Sequence, residues 1–326
     1  MEGAALNTII DRYNTELENI GGFHQVPTPD KYNPLGTTWE ISGDLGEGYY
    51  WIYAQNDLFD IKIHDFYYHE DTLITFDVPE CLSISEYYSI SGEELNPYRR
   101  LNAGCIKTII GGYAPYRMIV HKNIPIQSIG IEIFPEYYED YLKNKYTEQY
   151  THPLEAFQMI DQIYDFPELQ RLFFELRNYR EDKGLAGHLY YESKVNECIS
   201  LVLDYSNTCK KKHITLSHED IDSLNNVVDY INDHYAFDIP LQRLADIAFM
   251  GTTKLKTSFN QYKGCTITEF IQAKRMAQAE HLILETDLNM NQIAKIIGYS
   301  TSSRFAALFK RSTGLLPNEY RRIAKK

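Results

Sequence analysis

No stretch of 18 apolar residues occurs in the 326-residue chain, so no membrane-spanning helix is expected. The opening Met1-Glu2-Gly3-Ala4 lacks the basic-then-apolar pattern of a secretory leader. Cysteine is sparse: Cys81, Cys105, Cys198, Cys209 and Cys265 are odd in number and widely spaced. With no CxxC and no Cys/His cluster, neither a disulfide framework nor a zinc site is indicated, and a reducing cytoplasm fits best. There is no Gly-rich phosphate loop, no HExxH and no Ser/His/Asp order, so nothing supports catalysis or a cofactor. Positive charge is also short, with 32 Lys and Arg against 45 Asp and Glu, a net of -13. That balance opposes nucleic-acid binding when taken over the whole chain.

The distribution of charge changes this reading. From Ile221 to Lys326 there are 14 Lys and Arg against 10 Asp and Glu, a net of +4, which leaves the other 220 residues at -17. A basic C-terminal part joined to an acidic N-terminal part suggests a division of labour. At 44% hydrophobic residues the chain can bury substantial cores, enough for two domains or three small ones.

From about Thr37 to Phe134 the sequence reads as β-rich. Tyr49-Tyr50-Trp51-Ile52-Tyr53, Phe59-Asp60-Ile61-Lys62-Ile63, Leu73-Ile74-Thr75-Phe76 and Leu82-Ser83-Ile84-Ser85 are β-branched or aromatic and partly alternating. Gly46-Glu47-Gly48, Asn56-Asp57, Gly92 and Asn96-Pro97 punctuate them, which points to a sandwich or barrel. Helical patterns follow over 135–146, 153–164, 167–180 and 186–209. Lys210-Lys211-Lys212-His213 reads as a linker or as the solvated end of a helix.

The last hundred residues alternate amphipathic helices with breaks. Ile221 to His234, Leu241 to Ala248 and Thr253 to Lys263 are predicted helices, the last stopped by Gly264. Thr266 with Glu269 forms a capping box for a long helix reaching about Thr286. Asn289 caps Met290 to Ile297, Gly298 stops that helix, and Ser300 is the expected cap for Thr301 to Thr313. Gly314 and Pro317 precede a last short helix.

Two of these segments share one form. Leu241 to Ala248, a tight turn, then Leu255 and Phe259 are matched by Met290 to Ile297, Gly298-Tyr299, then Phe305 and Phe309. Each is a short helix, a turn and a second helix with an i, i+4 apolar pair. If the linking helix is rigid, the two second helices can enter successive major grooves about 34 Å apart.

This segment resembles the AraC/XylS family of transcription regulators over roughly Leu224 to Ile323. The residues that carry the resemblance are Arg275-Met276-x-x-Ala279, Ile293-Ala294-x-x-x-Gly298-Tyr299, Phe305-x-x-x-Phe309-Lys310 and Gly314-x-x-Pro317-x-x-Tyr320-Arg321. Within the family, Thr253-Lys254-Leu255-Lys256 resembles the branch that controls siderophore uptake.

The resemblance implies double-stranded DNA as a partner, RNA polymerase as another, and a homodimer. With Leu255 and Phe259 facing inward, Thr253, Lys256 and Thr257 point outward toward base edges, where Lys suits guanine and Thr a thymine methyl. Lys254, Asn260 and Lys263 are placed for phosphates, although Lys254, like Lys310, has the plainer alternative of being solvated. On the second recognition helix Ser302, Ser303 and Ala306 fall at matching positions with Arg304 beside them. Their short reach assigns base specificity mainly to the first unit.

The expected class is α+β. An N-terminal β-rich cupin-like barrel over 1–150 would bind a small-molecule effector, and an intermediate helical dimerisation segment would follow over 151–212. A C-terminal all-α tandem helix-turn-helix domain would occupy 221–326. The barrel is analogy at the level of architecture. His64 and His69, five apart, point to opposite faces of a regular strand, so no metal is expected. Of the 27 tyrosines, 22 lie in the first 220 residues. Trp39, Trp51, Tyr53, Tyr67 and Tyr87 are the candidate effector contacts. Arg99, Arg100 and Arg117 are candidates for pairing with an anionic ligand. Two alternatives stay open: control of the N-terminal domain by a protein partner, or an enzyme-like cupin fused to a DNA-binding domain.

Overall fold

A computed structural model describes residues 8–95, 98–101, 103–113, 115–161, 163, 166–180, 184–210 and 216–324. The Met1-Ala4 opening, the Asn96-Pro97 turn and the Lys211-Lys212-His213 linker lie outside these residues. Contacts divide the chain into two units, Met1–Asn207 and Thr208–Lys326.

The first unit opens with α1 (Thr8–Gly21), which sequence patterning from Thr37 onward did not anticipate. Ile9, Tyr13 and Leu17 recur every four residues and are buried, so α1 presents one apolar stripe to the sheets. Burying three such side chains contributes on the order of 5 kcal/mol before ordering costs.

Eleven strands follow: β1 (Phe23–Val26), β2 (Thr37–Ile41), β3 (Gly46–Gln55), β4 (Phe59–Tyr68), β5 (Thr72–Phe76), β6 (Leu82–Ser89), β7 (Gly92–Leu95), β8 (Tyr98–Leu101), β9 (Ile106–Ile110), β10 (Tyr116–Val120) and β11 (Ile126–Ile133). All pair antiparallel, in a seven-stranded sheet of order β1-β2-β3-β4-β11-β6-β9 and a four-stranded sheet of order β5-β10-β7-β8. The two sheets are not hydrogen-bonded into one closed barrel among the described residues.

The large sheet is buried on both faces. Tyr50 and Ile52 of β3 and Phe66 and Tyr68 of β4 join a core with Ile74, Leu101 and Val120 of the small sheet and with α1. Their neighbours Trp51, Tyr53, Ile61 and Ile63 point the other way, as the period of two requires. That second face is covered by helices. A π-helical turn, Glu136–Leu142, runs into the short α2 (Lys143–Lys145), and α3 (Leu154–Met159), α4 (Pro167–Asn178) and α5 (Leu185–Lys210) follow. Tyr191, Val195, Cys198, Ile199 and Val202 of α5 are buried in this core. Most of the apolar face of α5 is thus occupied within its own unit, and Leu185 and Leu189 stay exposed.

The second unit contains α6 (His218–His234), α7 (Leu241–Ile247), α8 (Thr252–Lys263), α9 (Ile267–Glu285), α10 (Met290–Ile296), α11 (Ser302–Thr313) and α12 (Pro317–Ala324). The expected capping box at Thr266 and Glu269 is formed, and Asn289 with Gln292 makes another. For α11 the cap is Thr301 rather than Ser300: the Thr301 hydroxyl accepts from the Arg304 amide at 3.4 Å. Among the described residues no helix is long and apolar enough to cross a membrane.

Candidate nucleic-acid interface and the cavity between the sheets

The repeat seen in sequence is also a repeat of backbone geometry. After α7 the Met250 amide donates to the Ala245 carbonyl at 3.0 Å; after α10 the Tyr299 amide donates to Ala294 at 2.8 Å. The residue before each donor is left-handed, Phe249 at φ +52° and Gly298 at φ +86°. Both second helices end on a left-handed glycine, Gly264 and Gly314, whose amides return to Asn260 and Lys310, each at 2.8 Å. The buried pairs also correspond: Leu244 and Ala245 with Ile293 and Ala294, Leu255 and Phe259 with Phe305 and Phe309. Two helix-turn-helix units therefore stand in succession, joined by α9.

The two turns use different residues for a physical reason. A Cβ at Gly298 would lie 2.2 Å from the Ala236 carbonyl oxygen, so only glycine fits. Phe249 takes the same left-handed conformation as a residue 92% exposed, and carries the steric cost that glycine avoids.

Arg275, near the middle of α9, ties the second turn to the segment between α6 and α7. Its Nε donates to the Tyr235 carbonyl at 2.7 Å, Nη2 to Phe237 at 2.9 Å and Nη1 to Gly298 at 3.1 Å. The guanidinium lies over the Tyr299 ring, 5.0 Å from its centroid. In α12, Tyr320 is fully buried and its hydroxyl donates to Glu280 at 3.0 Å.

Thr253, Lys256, Thr257 and Asn260 are exposed on α8, as are Ser303, Arg304 and Lys310 on α11; Ser302 and Ala306 are half-buried. The Thr257 hydroxyl is turned back onto the Thr253 carbonyl at 3.1 Å. Lys254 is engaged: its Nζ lies 2.8 Å from Asp220 in the first turn of α6, and this pair pulls the Asp220 carboxyl below its ordinary range.

In the first unit a cavity of about 100 Å³ lies between the sheets beneath α1. Tyr50, Phe66, Tyr68, Phe76, Tyr87 and Met118 make much of its wall. At its polar side Lys62 and Glu132 form a close buried ion pair, and the Tyr13 hydroxyl lies 3.0 Å from Glu132 and 3.2 Å from Asp60. Burial, then Glu132, holds the Asp60 carboxyl well above the ordinary range. Burial, then Lys62, pushes the His64 imidazole down to about 3, so the ring is neutral. His64 Nδ1 pairs with the Ser128 hydroxyl at 2.9 Å.

Of the five aromatic residues expected at an effector site, Tyr87 lines this cavity. Trp39 is in the same core but its indole donates to Asn14 of α1 at 3.0 Å. Trp51 and Tyr53 lie on the opposite face, where the Tyr53 hydroxyl is 2.6 Å from His188 Nδ1. Tyr67 lines a shallower surface depression with Asp65 and Glu47. Arg99 pairs with Asp161 at 2.6 Å and Arg117 is exposed; neither lines the cavity, and nor does Arg100. The arginine that does is Arg12, which sequence reasoning passed over together with α1.

The fold of the second unit and its paired turns define a tandem helix-turn-helix domain. Residues 244–323 match the helix-turn-helix domain family, and this part of the chain is a domain of the AraC type. Among curated proteins, the bifunctional transcriptional activator/DNA repair enzyme AdaA of Bacillus subtilis is 29% identical over 30% of this chain and 47% of its own length. The probable transcriptional regulator LumQ of Photobacterium leiognathi is 27% identical over 45% of this chain and 55% of its own. The HTH-type transcriptional activator RhaS of an Enterobacter species is 29% identical over 30% of this chain and 35% of its own. This chain thus spans about half, or less, of the length of these relatives. Among solved structures, the C-terminal domain of AraT, a response regulator from Geobacillus stearothermophilus, covers 33% of this chain and 88% of its own, at 29% identity and a TM-score of 0.30.

Proposed function

We propose that the chain is a sequence-specific, DNA-binding transcription regulator, acting as an activator and gated by a small molecule in the cavity of its first unit. The observation that carries the DNA-binding part is the doubled turn: the same five-residue hydrogen bond, left-handed residue and buried pair recur about fifty residues apart. Such units present the outer face of α8 and α11 to the major groove. Two of the similar proteins are described as transcriptional activators, which supports that sign of regulation. The cavity, with its apolar wall and few convergent polar groups, has the character of a small-molecule site. A homodimer through α5 would use its exposed Leu185 and Leu189.

Lys256 is the leading base contact on α8, because Lys254 is already held by Asp220. Immunoprecipitation of the intact protein with sequencing of the bound DNA is the direct test. Wild type is expected at a few promoters with a shared motif, and Lys256→Ala is expected to lose them. Lys254→Ala is expected to weaken binding at most evenly across sites. Wild-type binding without any site preference, with or without growth-condition changes, would overturn the reading.

A further inference from the structure

Two polar side chains on the cavity wall have hydrogen-bonding capacity that the protein leaves unfilled. Arg12 projects from α1 and His64 from β4, and both line the cavity. Arg12 Nε and Nη2 and His64 Nε2 are buried and have no hydrogen-bond partner among the described residues. Arg12 is not bare of contacts: its Nε lies 3.7 Å from Glu16, and its guanidinium sits 5.2 Å from the Tyr13 and Phe134 ring centroids. These contacts hold the side chain in place without supplying an acceptor at hydrogen-bonding distance.

The neighbouring charges are already paired, Glu16 with Arg12 itself at 3.7 Å and the rest with one another. Lys62 and Glu132 hold each other, and the Tyr13 hydroxyl bridges Glu132 and Asp60. A guanidinium carries donors only and keeps its charge at every working pH, so its buried N–H groups call for an acceptor, best an anionic one. The rest of the wall, with Tyr50, Phe66, Tyr68, Phe76 and Met118, calls for an apolar body. The space is small. At about 100 Å³ it is of the order of the engineered cavity of roughly 150 Å³ that takes up benzene.

Resting on the reading of this cavity as a ligand site, we propose that it takes a small organic carboxylate, about one ring or a short chain in size. Its acid group pairs with Arg12 and its body lies against Tyr50, Phe66 and Tyr68. His64 Nε2 is the second polar contact and fixes the orientation of the bound group. A neutral isostere leaves the guanidinium donors partly unfilled; a cation carries no acceptor and leaves them wholly unfilled, while the Glu16 and Glu132 carboxylates on the same wall are already paired with Arg12 and Lys62.

The test is calorimetric titration of the full chain with three compounds of one size: benzoate, benzamide and benzylamine. Benzoate is expected to bind roughly ten- to a hundredfold more tightly than benzamide, the range for a hydrogen bond to a charged group. Benzylamine is expected not to bind. Arg12→Gln is expected to bring benzoate down to the level of benzamide, and Arg12→Lys to keep part of the preference. Arg12→Gln is first checked for an unchanged circular dichroism spectrum; if it does not fold, the wild-type series and Arg12→Lys decide. Benzamide or benzylamine binding as tightly as benzoate overturns the proposed ligand class and leaves the cavity standing as a ligand site. No binding of any of the three at millimolar concentration overturns the ligand-site reading itself, and the proposal with it.

Discussion

Arg275 offers the sharpest test of how the two helix-turn-helix units are held together. Its three donors reach carbonyls on both sides: Tyr235 and Phe237 in the segment after α6, and Gly298 in the second turn. Truncation to alanine removes all three bonds and the stacking on Tyr299. Hydrogen bonds to charged groups are worth about 1.5–3 kcal/mol each when well buried. Here the Phe237 bond is exposed and the other two are half-buried, so water replaces part of the loss. A net cost of about 2–4 kcal/mol to the second unit is the expectation. Arg275→Lys keeps the charge but not the planar fork, and is expected to recover less than half of that cost. The loss should be local: amide hydrogen exchange at Gly298, Tyr299 and the segment after α6 should accelerate before the helix cores respond. DNA carrying both half-sites should be bound about tenfold more weakly or worse, while DNA with only the first half-site is bound nearly as before. The reasoning is refuted if Arg275→Ala leaves exchange at these amides unchanged and binds the two-half-site DNA as tightly as wild type.

The two turns should respond oppositely to a change of side chain. Phe249→Gly is expected to raise the stability of the second unit by about 1 kcal/mol, since it relieves left-handed strain at an exposed position. Gly298→Ala is expected to lower it by at least as much, because the new methyl meets the Ala236 carbonyl. Denaturant melts of the two variants with equal midpoints would contradict both. In the first unit, the raised Asp60 carboxyl retains its proton after the unfolded chain has lost it, so its contribution fades as pH rises above about 4. The depressed His64 imidazole contributes above about 6.5 and loses that contribution as pH falls below it. The melting temperature of this unit should therefore peak on the mildly acidic side, and Asp60→Asn should flatten the alkaline decline. An unaltered alkaline slope in that variant would count against the assignment.

The tandem helix-turn-helix unit was legible because its signals are local. Caps at Thr266 and Asn289, stops at Gly264, Gly298 and Gly314, and apolar pairs four apart each act within a few residues. What was missed there needed a long-range neighbour: the Lys254–Asp220 pair depends on α6 starting beside α8, and nothing in Thr253-Lys254-Leu255-Lys256 announces it. The cavity was far less legible. Its wall is drawn from α1 and from strands distributed between residues 23 and 132, so no window of sequence contains it. The aromatic run Tyr49 to Tyr53 could not be divided by eye, because the large sheet is buried on both sides and both parities are apolar. Tyr50 went to the cavity while Trp51 and Tyr53 went to the helices. The signal available for Arg12 was the spacing of Ile9, Tyr13 and Leu17, which marks an amphipathic helix and places Arg12 beside its buried stripe.

The two-faced sheet also bears on how such a protein can change over generations. Along β4, Lys62, His64, Phe66 and Tyr68 face the cavity, and Ile61 and Ile63 seat the helices. A point substitution at an even-numbered position retunes the cavity and leaves the helix seat alone. Insertion or deletion of a single residue within the strand exchanges the two sets, putting charged residues under the helices and isoleucines into the cavity. The lining of the cavity is therefore open to stepwise substitution and closed to length change within these strands.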